Sequence, residues 1–153
     1  MTIIAVRPAN PADLSGSAIL SIDAKWAEAI RAGSLKWLVR KRVPLVSKPT
    51  HIYFHAKAPV SALIGRGIVS SIERVKSDFI LRHASDLQMK PDELRDYIGP
   101  LKELGLIRFS QLEPARTSAP LAKIRKRLNY FAPQGFAFVS RSALPVVDEL
   151  CGF

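Results

Sequence analysis

A chain of 153 residues fits one domain and, at that length, buries about two thirds of the surface its unfolded form exposes, so no disulfide or metal staple is required. Twenty-three Lys and Arg against thirteen Asp and Glu leave a formal net charge of +10, more than colloidal solubility asks for, and direct attention to a polyanionic partner. The single cysteine, Cys151, excludes an internal disulfide or a CxxC metal site and fits a reducing cytoplasm, and no apolar run reaches the length of a membrane span.

The opening "MTIIAVRPANP" has an apolar run that is too short for a signal-peptide core before Arg7 and Pro8. Residues 1–16 are rich in Pro, Ser, Asn and Gly and read as a loosely held arm, leaving residues 17–153 as a single domain. "AILSI" (18–22) is short and apolar, as a buried strand is. Asp23 then stands where a helix cap belongs, Trp26, Ala27 and Ile30 share one helical face over 24–32, and Gly33 ends the helix. From Lys36 to Val43 the pattern has period two, with Trp37, Val39, Lys41 and Val43 on one side and Lys36, Leu38, Arg40 and Arg42 on the other, which predicts a half-buried strand.

"THIYFHA" (50–56) is β-branched and aromatic and predicts a strand, followed by a turn at "KAPV". "SALIGRGIVSSIERV" (61–75) reads as a long strand with a bulge at Gly65 to Gly67, since it lacks the further glycines and the Lys of a phosphate loop. Helical spacing takes over at 78–88 and 91–104, where Pro91 occupies the first helical position and Asp92 and Glu93 the first turn, a placement that explains both acids without chemistry. Strand character returns at 105–115, a short helix follows at 120–128, and "GFAFVS" (135–140) is a last strand. This order is too irregular for a doubly wound sheet and predicts an α+β fold: a small mixed pseudo-β-barrel of five to six strands, helices at its ends and a helical insertion over about 77–104.

The series "LSIDAKWAEAIRAG", "KWLVRKR", "HIYFHAKAPVSALIGRGIV" and "YFAPQGFAFV" resembles the ASCH domains of the PUA-like superfamily, in particular a subgroup described as predicted transcriptional regulators. The resemblance rests on Leu20, Ile22, Trp26, Ala27, Ile30 and Gly33. It continues through Arg40, Lys41 and Arg42, then Ala56, Pro59, Val60, Ile64 and Gly65, and closes with Pro133, Gln134 and Phe136, all in the family's order. It implies a cationic cleft between the first helix, the basic strand and the Pro-turn after the next strand, where relatives bind RNA or modified nucleosides. A few relatives are ribonucleases or amidohydrolases acting on acylated cytidine. The amidohydrolases carry a pattern like Gly-x-Lys-x-x-Thr-x-Arg, in which Lys activates a nucleophilic Thr. Here that frame runs from Gly33 to Arg40 with Leu35 at the Lys position and Leu38 at the Thr position, and leucine fills neither role. Lys36 is one residue late, which turns a strand side chain to the opposite face.

Lys36, Arg40 and Arg42 therefore stand either as the wet face of an amphipathic strand or as ligand contacts. No acid interrupts the chain between Glu28 and Glu73, where a solubility face mixes signs, and this favours contact with an anion. Arg40 leads the set, because a guanidinium holds phosphate through two parallel hydrogen bonds and stacks on a base. His55 and Lys57, at the end of the next strand, Arg125 from the second basic cluster "KIRKRLNY", and Gln134 complete the candidate nucleic-acid contacts. Trp26 and Trp37 offer stacking surfaces, although their spacing with Ile30 and Val39 suits the core better. Three scattered histidines make no metal site, and no catalytic residue or cofactor is assigned. The expected protein is thus a cytoplasmic RNA- or nucleic-acid-binding module of ASCH type, regulatory in role and without a membrane partner. Its insertion either closes over the cleft or serves as a protein-partner surface. The alternative is an enzyme on a modified nucleoside or on RNA that uses Lys36 or His55.

Overall fold

The computed structural model describes residues 4–5, 14–45, 48–130 and 132–153. In chain order the elements are β1 (Ile4–Ala5), β2 (Leu14–Ile22), a 3-10 turn (Ala24–Trp26), α1 (Ala27–Arg31), β3 (Trp37–Arg40), β4 (His51–Ala56), β5 (Ala62–Lys76), α2 (Ser77–Arg82), α3 (Pro91–Ile98), β6 (Glu103–Pro120), α4 (Leu121–Arg125), β7 (Phe136–Ser140) and α5 (Leu144–Cys151). All seven strands belong to one mixed sheet of order β1-β7-β2-β4-β5-β6-β3. Among the described strands only the β2–β4 pair is parallel. The expected arm is thus partly built into the sheet: β1 pairs with β7, and β2 starts at Leu14, while most of residues 1–13 lies outside the described residues.

The continuous apolar run of β2 follows from its place in the middle of the sheet, covered on both faces as a parallel strand usually is. Ile19 points into one cluster with Tyr53, Leu63, Ala137, Val139 and Val147, beneath α4 and α5. Leu20 and Ile22 point the other way, to Ile30, Ile52, Phe54 and Ile64, beneath α1. A third cluster joins Val39, Leu104 and Leu106 to Ile80, Leu87, Leu94 and Ile98 of the helical insertion. The long β5 and β6 run through the sheet with register shifts near Gly65 and between Ile68 and Ser71, and such bulges bend and twist a ladder so that the sheet curls around its core.

β3 differs from its expected form. It is four residues long, and both of its faces are covered: Leu38 enters the cluster under α1 while Val39 enters the cluster under the insertion. The alternation between Lys36 and Val43 reflected polar residues at the strand's ends, with a two-sided apolar centre between them. Asp23 precedes the 3-10 turn but makes no side-chain cap, and Gly33, at φ +68°, ends α1 as expected because a residue with a Cβ is strained there. No helix among the described residues is long and apolar enough to cross a membrane.

Candidate functional site

A cavity of about 150 Å3 opens between the 3-10 turn, β3 and the helical insertion. Trp26 and Trp37 form apolar walls, with Leu87, Met89 and Tyr97 contributed by the insertion, and Arg40 projects into it from the end of β3. The Arg40 guanidinium is held by backbone alone, Nη1 donating to the Val39 carbonyl at 3.1 Å and Nη2 to the Ser21 carbonyl at 3.3 Å. Among the described residues no carboxylate pairs with it. Two of its five N–H donors are thereby engaged, and the others remain for a ligand.

The other charges around the cavity are matched. Lys25 bonds Glu93 across the mouth, with its ammonium also 5.1 Å from the centre of the Trp26 ring. Asp23 faces Lys57 at 3.9 Å. Tyr97 accepts the Lys41 backbone N–H at 3.2 Å, and the Lys41 ammonium stands 5.2 Å from its ring. Trp37 is wedged in a stack with Phe79 (6.1 Å between ring centres), His83 (5.1 Å) and the Arg108 guanidinium (4.9 Å), which fixes one wall rigidly. The cavity is smaller than the roughly 300–1,000 Å3 of drug-sized sites and suits a single flat ring system that meets one cation.

The expected contact residues are not all brought together. Lys36 lies at the opposite end of β3, beside a separate hollow formed with Gly33, Leu35, Phe109 and Gln111. Arg42 is exposed just past β3, and Lys57 reaches the cleft only through Asp23. His55 is 2% exposed, and its Nδ1 is 2.9 Å from the Tyr130 hydroxyl, whose own backbone carbonyl accepts from Arg125 Nε at 3.2 Å. Burial, and then the Arg125 charge, hold the His55 pKa below the ordinary histidine value. His55 and Arg125 are thus linked through Tyr130, the first buried and the second exposed on α4. Gln134 is exposed beside Pro133, whose carbonyl accepts from the buried Ser21 hydroxyl. Leu35 and Leu38 are 1% and 3% exposed in the apolar cluster beneath α1, so the frame that carries Lys and Thr in amidohydrolases is core here.

Trp26 and Trp37 are half-buried: each packs against an apolar cluster, as its spacing suggests, and each also walls the cleft, where a stacking surface would stand. Glu93 and Tyr97 lie far along the chain in an insertion whose pattern explained them as an ordinary helix, and no local signal tied them to Lys25 or Arg40. The insertion contributes Leu87, Met89, Glu93 and Tyr97 to the lining of the cleft. Among the described residues no three His, Cys, Asp or Glu side chains gather as a metal ion would need.

No protein-family model matches the chain, and no curated protein matches it in sequence. In three dimensions it is similar to the ASCH protein of Zymomonas mobilis, with a TM-score of 0.80 at 20% identity over 88% of this chain and 95% of that one. A serine-to-alanine variant of that protein gives a TM-score of 0.78 at 22% identity, over 88% and 96% of the two chains. The N-terminal domain of McrB from Staphylothermus marinus is more distant, at a TM-score of 0.62 and 10% identity over 94% and 99%. The chain therefore has the ASCH fold, in agreement with the mixed α+β architecture and added helices expected from its sequence, with the two-residue β1 bringing the described strands to seven rather than five or six.

Proposed function

We propose that the chain is a nucleic-acid-binding module of ASCH type that takes single-stranded or locally opened RNA. One base enters between Trp26 and Tyr97, and Arg40 holds an oxygen of that nucleotide. The observation that carries this reading is the Arg40 guanidinium, fixed by two carbonyls, pointing into an aromatic-walled cavity with no carboxylate partner among the described residues. A net charge of +10 supplies the long-range attraction, and aromatic walls provide stacking that tolerates different bases. A cytoplasmic, regulatory role accompanies the proposal. The buried Leu35 and Leu38 give no support to the amidohydrolase alternative, because neither position presents a proton carrier or a nucleophile to the cleft.

Fluorescence anisotropy with a labelled RNA hexamer of random sequence tests the proposal. Wild-type protein binds at low ionic strength and weakens steeply as salt rises, because counterions are released from each phosphate contact. Arg40→Ala loses a charge-assisted hydrogen bond of about 1.5–3 kcal/mol, about ten-fold or more in Kd. Equal binding by Arg40→Ala, or no binding even in low salt, refutes the proposal.

A further inference from the structure

Beside the Arg40 cleft lies a second hollow of about 440 Å3, whose edge includes Ser34 after α1 and Gln88 of the insertion. The two hollows share Lys25, Trp26 and Glu93, so the partition between them is the Trp26 ring topped by the Lys25–Glu93 ion pair. The rim behind this partition is fixed: Gln88, in the left-handed region at φ +53°, donates from Nε2 to the Ser34 carbonyl at 3.1 Å and to its hydroxyl at 3.3 Å. The ion pair is not fixed in this way. Its side chains are 49% and 40% exposed, and surface pairs of this kind are weak because water screens them, so a competing anion displaces Glu93 readily.

We propose that the second hollow is the subsite for the neighbouring nucleotide and that Glu93 is an autoinhibitory latch on Lys25, displaced by the phosphate that joins the two nucleotides. The inference rests on the nucleic-acid reading of the Arg40 cleft and deepens it. A strand with one base in that cleft has to cross the partition to reach the second hollow, and Lys25 is the cation at the crossing. While Glu93 holds Lys25, the phosphate meets a neutralised lysine and a nearby carboxylate. Once the pair opens, Lys25 is free to take the phosphate oxygen, and the exposed face of Trp26 becomes available to the second base.

The test uses the same RNA hexamer with Glu93→Gln, Lys25→Gln and the double variant. Glu93→Gln keeps the side chain's shape while removing its charge, and is expected to tighten binding about two- to five-fold. In the Lys25→Gln background the same substitution is expected to give no gain, because the latch has nothing left to hold. If Glu93→Gln gains equally with and without Lys25, the effect is one of net charge and the latch is overturned. If wild-type protein binds through Arg40 and Glu93→Gln binds no tighter, the latch falls while the function stands. If neither wild type nor Glu93→Gln binds, both fall together.

Discussion

Replacing Gly65 by alanine tests how tightly α1, and with it the Trp26 wall, is seated on the sheet. A methyl group on Gly65 would stand 2.9 Å from the Glu113 carbonyl oxygen, 3.2 Å from the Pro114 Cα and 3.1 Å from Cγ2 of Ile30. Two of these neighbours are backbone of β6, held in register opposite Gly65, so they cannot rotate aside as a side chain can. The third is the buried anchor of α1, one turn beyond Trp26. Overpacking of this kind costs about 1–3 kcal/mol. In a domain of this size each kcal/mol lowers Tm by about 2–4 °C, which gives a fall of roughly 2–12 °C. Thermal and urea unfolding followed by circular dichroism measure it. Gly135→Ala is the control, since nothing lies within 4 Å of the added methyl, and it should stay within about 0.5 kcal/mol of wild type. If Gly65→Ala unfolds with wild type and control, the contact between α1 and β6 is looser than described and the rigid Trp26 wall loses its support.

Three further outcomes follow from the buried polar groups. Because burial and Arg125 depress the His55 pKa, the unfolded chain takes up a proton below about pH 6.5 that the folded chain refuses. The His55 contribution is therefore complete above that pH and falls as pH drops toward the folded pKa, by at most about 1.4 kcal/mol per unit; urea unfolding at several pH values reads the slope, and His55→Gln should flatten it. The Cys151 thiol is buried, and that burial pushes its pKa up to about 12, so at mildly alkaline pH a disulfide reagent should label it only after unfolding. Tyr53 donates to Asp148 and accepts from Arg66 at 3.2 Å, while Arg66 also grips Glu113 through two bonds of 3.2 and 3.3 Å. Tyr53→Phe should cost about 1 kcal/mol in urea unfolding with no effect on RNA affinity, since this network ties α5 to the sheet on the face away from the cleft.

Strands were the most legible part of the fold. His51–Ala56 and Phe136–Ser140 lie close to the predicted spans because β-branched and aromatic residues crowd both stretches. Helix lengths were overestimated where apolar spacing continued past a stop: α2 ends at Arg82 and α3 at Ile98, where the pair Gly99 and Pro100 is the terminator that periodicity alone overran. α5 went unassigned although Pro145 near its start, followed by Val147, Leu150 and Cys151 on one face, carries a helical signal. At the site, Arg40 stood out in the sequence because a guanidinium suits phosphate and no acid lies near it in the chain, and the structure places it at the end of β3, lining the cleft. Lys36 was grouped with it because period two cannot distinguish a wet face from charged strand ends, and the tryptophans were ambiguous because half-buried ones obey the same spacing as core ones. Glu93 and Tyr97 reach the cleft only through the packing of the insertion on Val39 and Leu106, a long-range contact with no local imprint.

The most direct test of the account is a nuclear magnetic resonance titration of the wild-type protein with the RNA hexamer, following the indole N–H signals of Trp26 and Trp37 and the guanidinium N–H signal of Arg40. These three signals are expected to move together and saturate at one affinity, while the amides of Lys36 and Arg125, which lie outside the cleft, stay in place. Shifts centred on Lys36 or Arg125, with the tryptophan and Arg40 signals unmoved, would contradict the assignment of the cleft as the binding site.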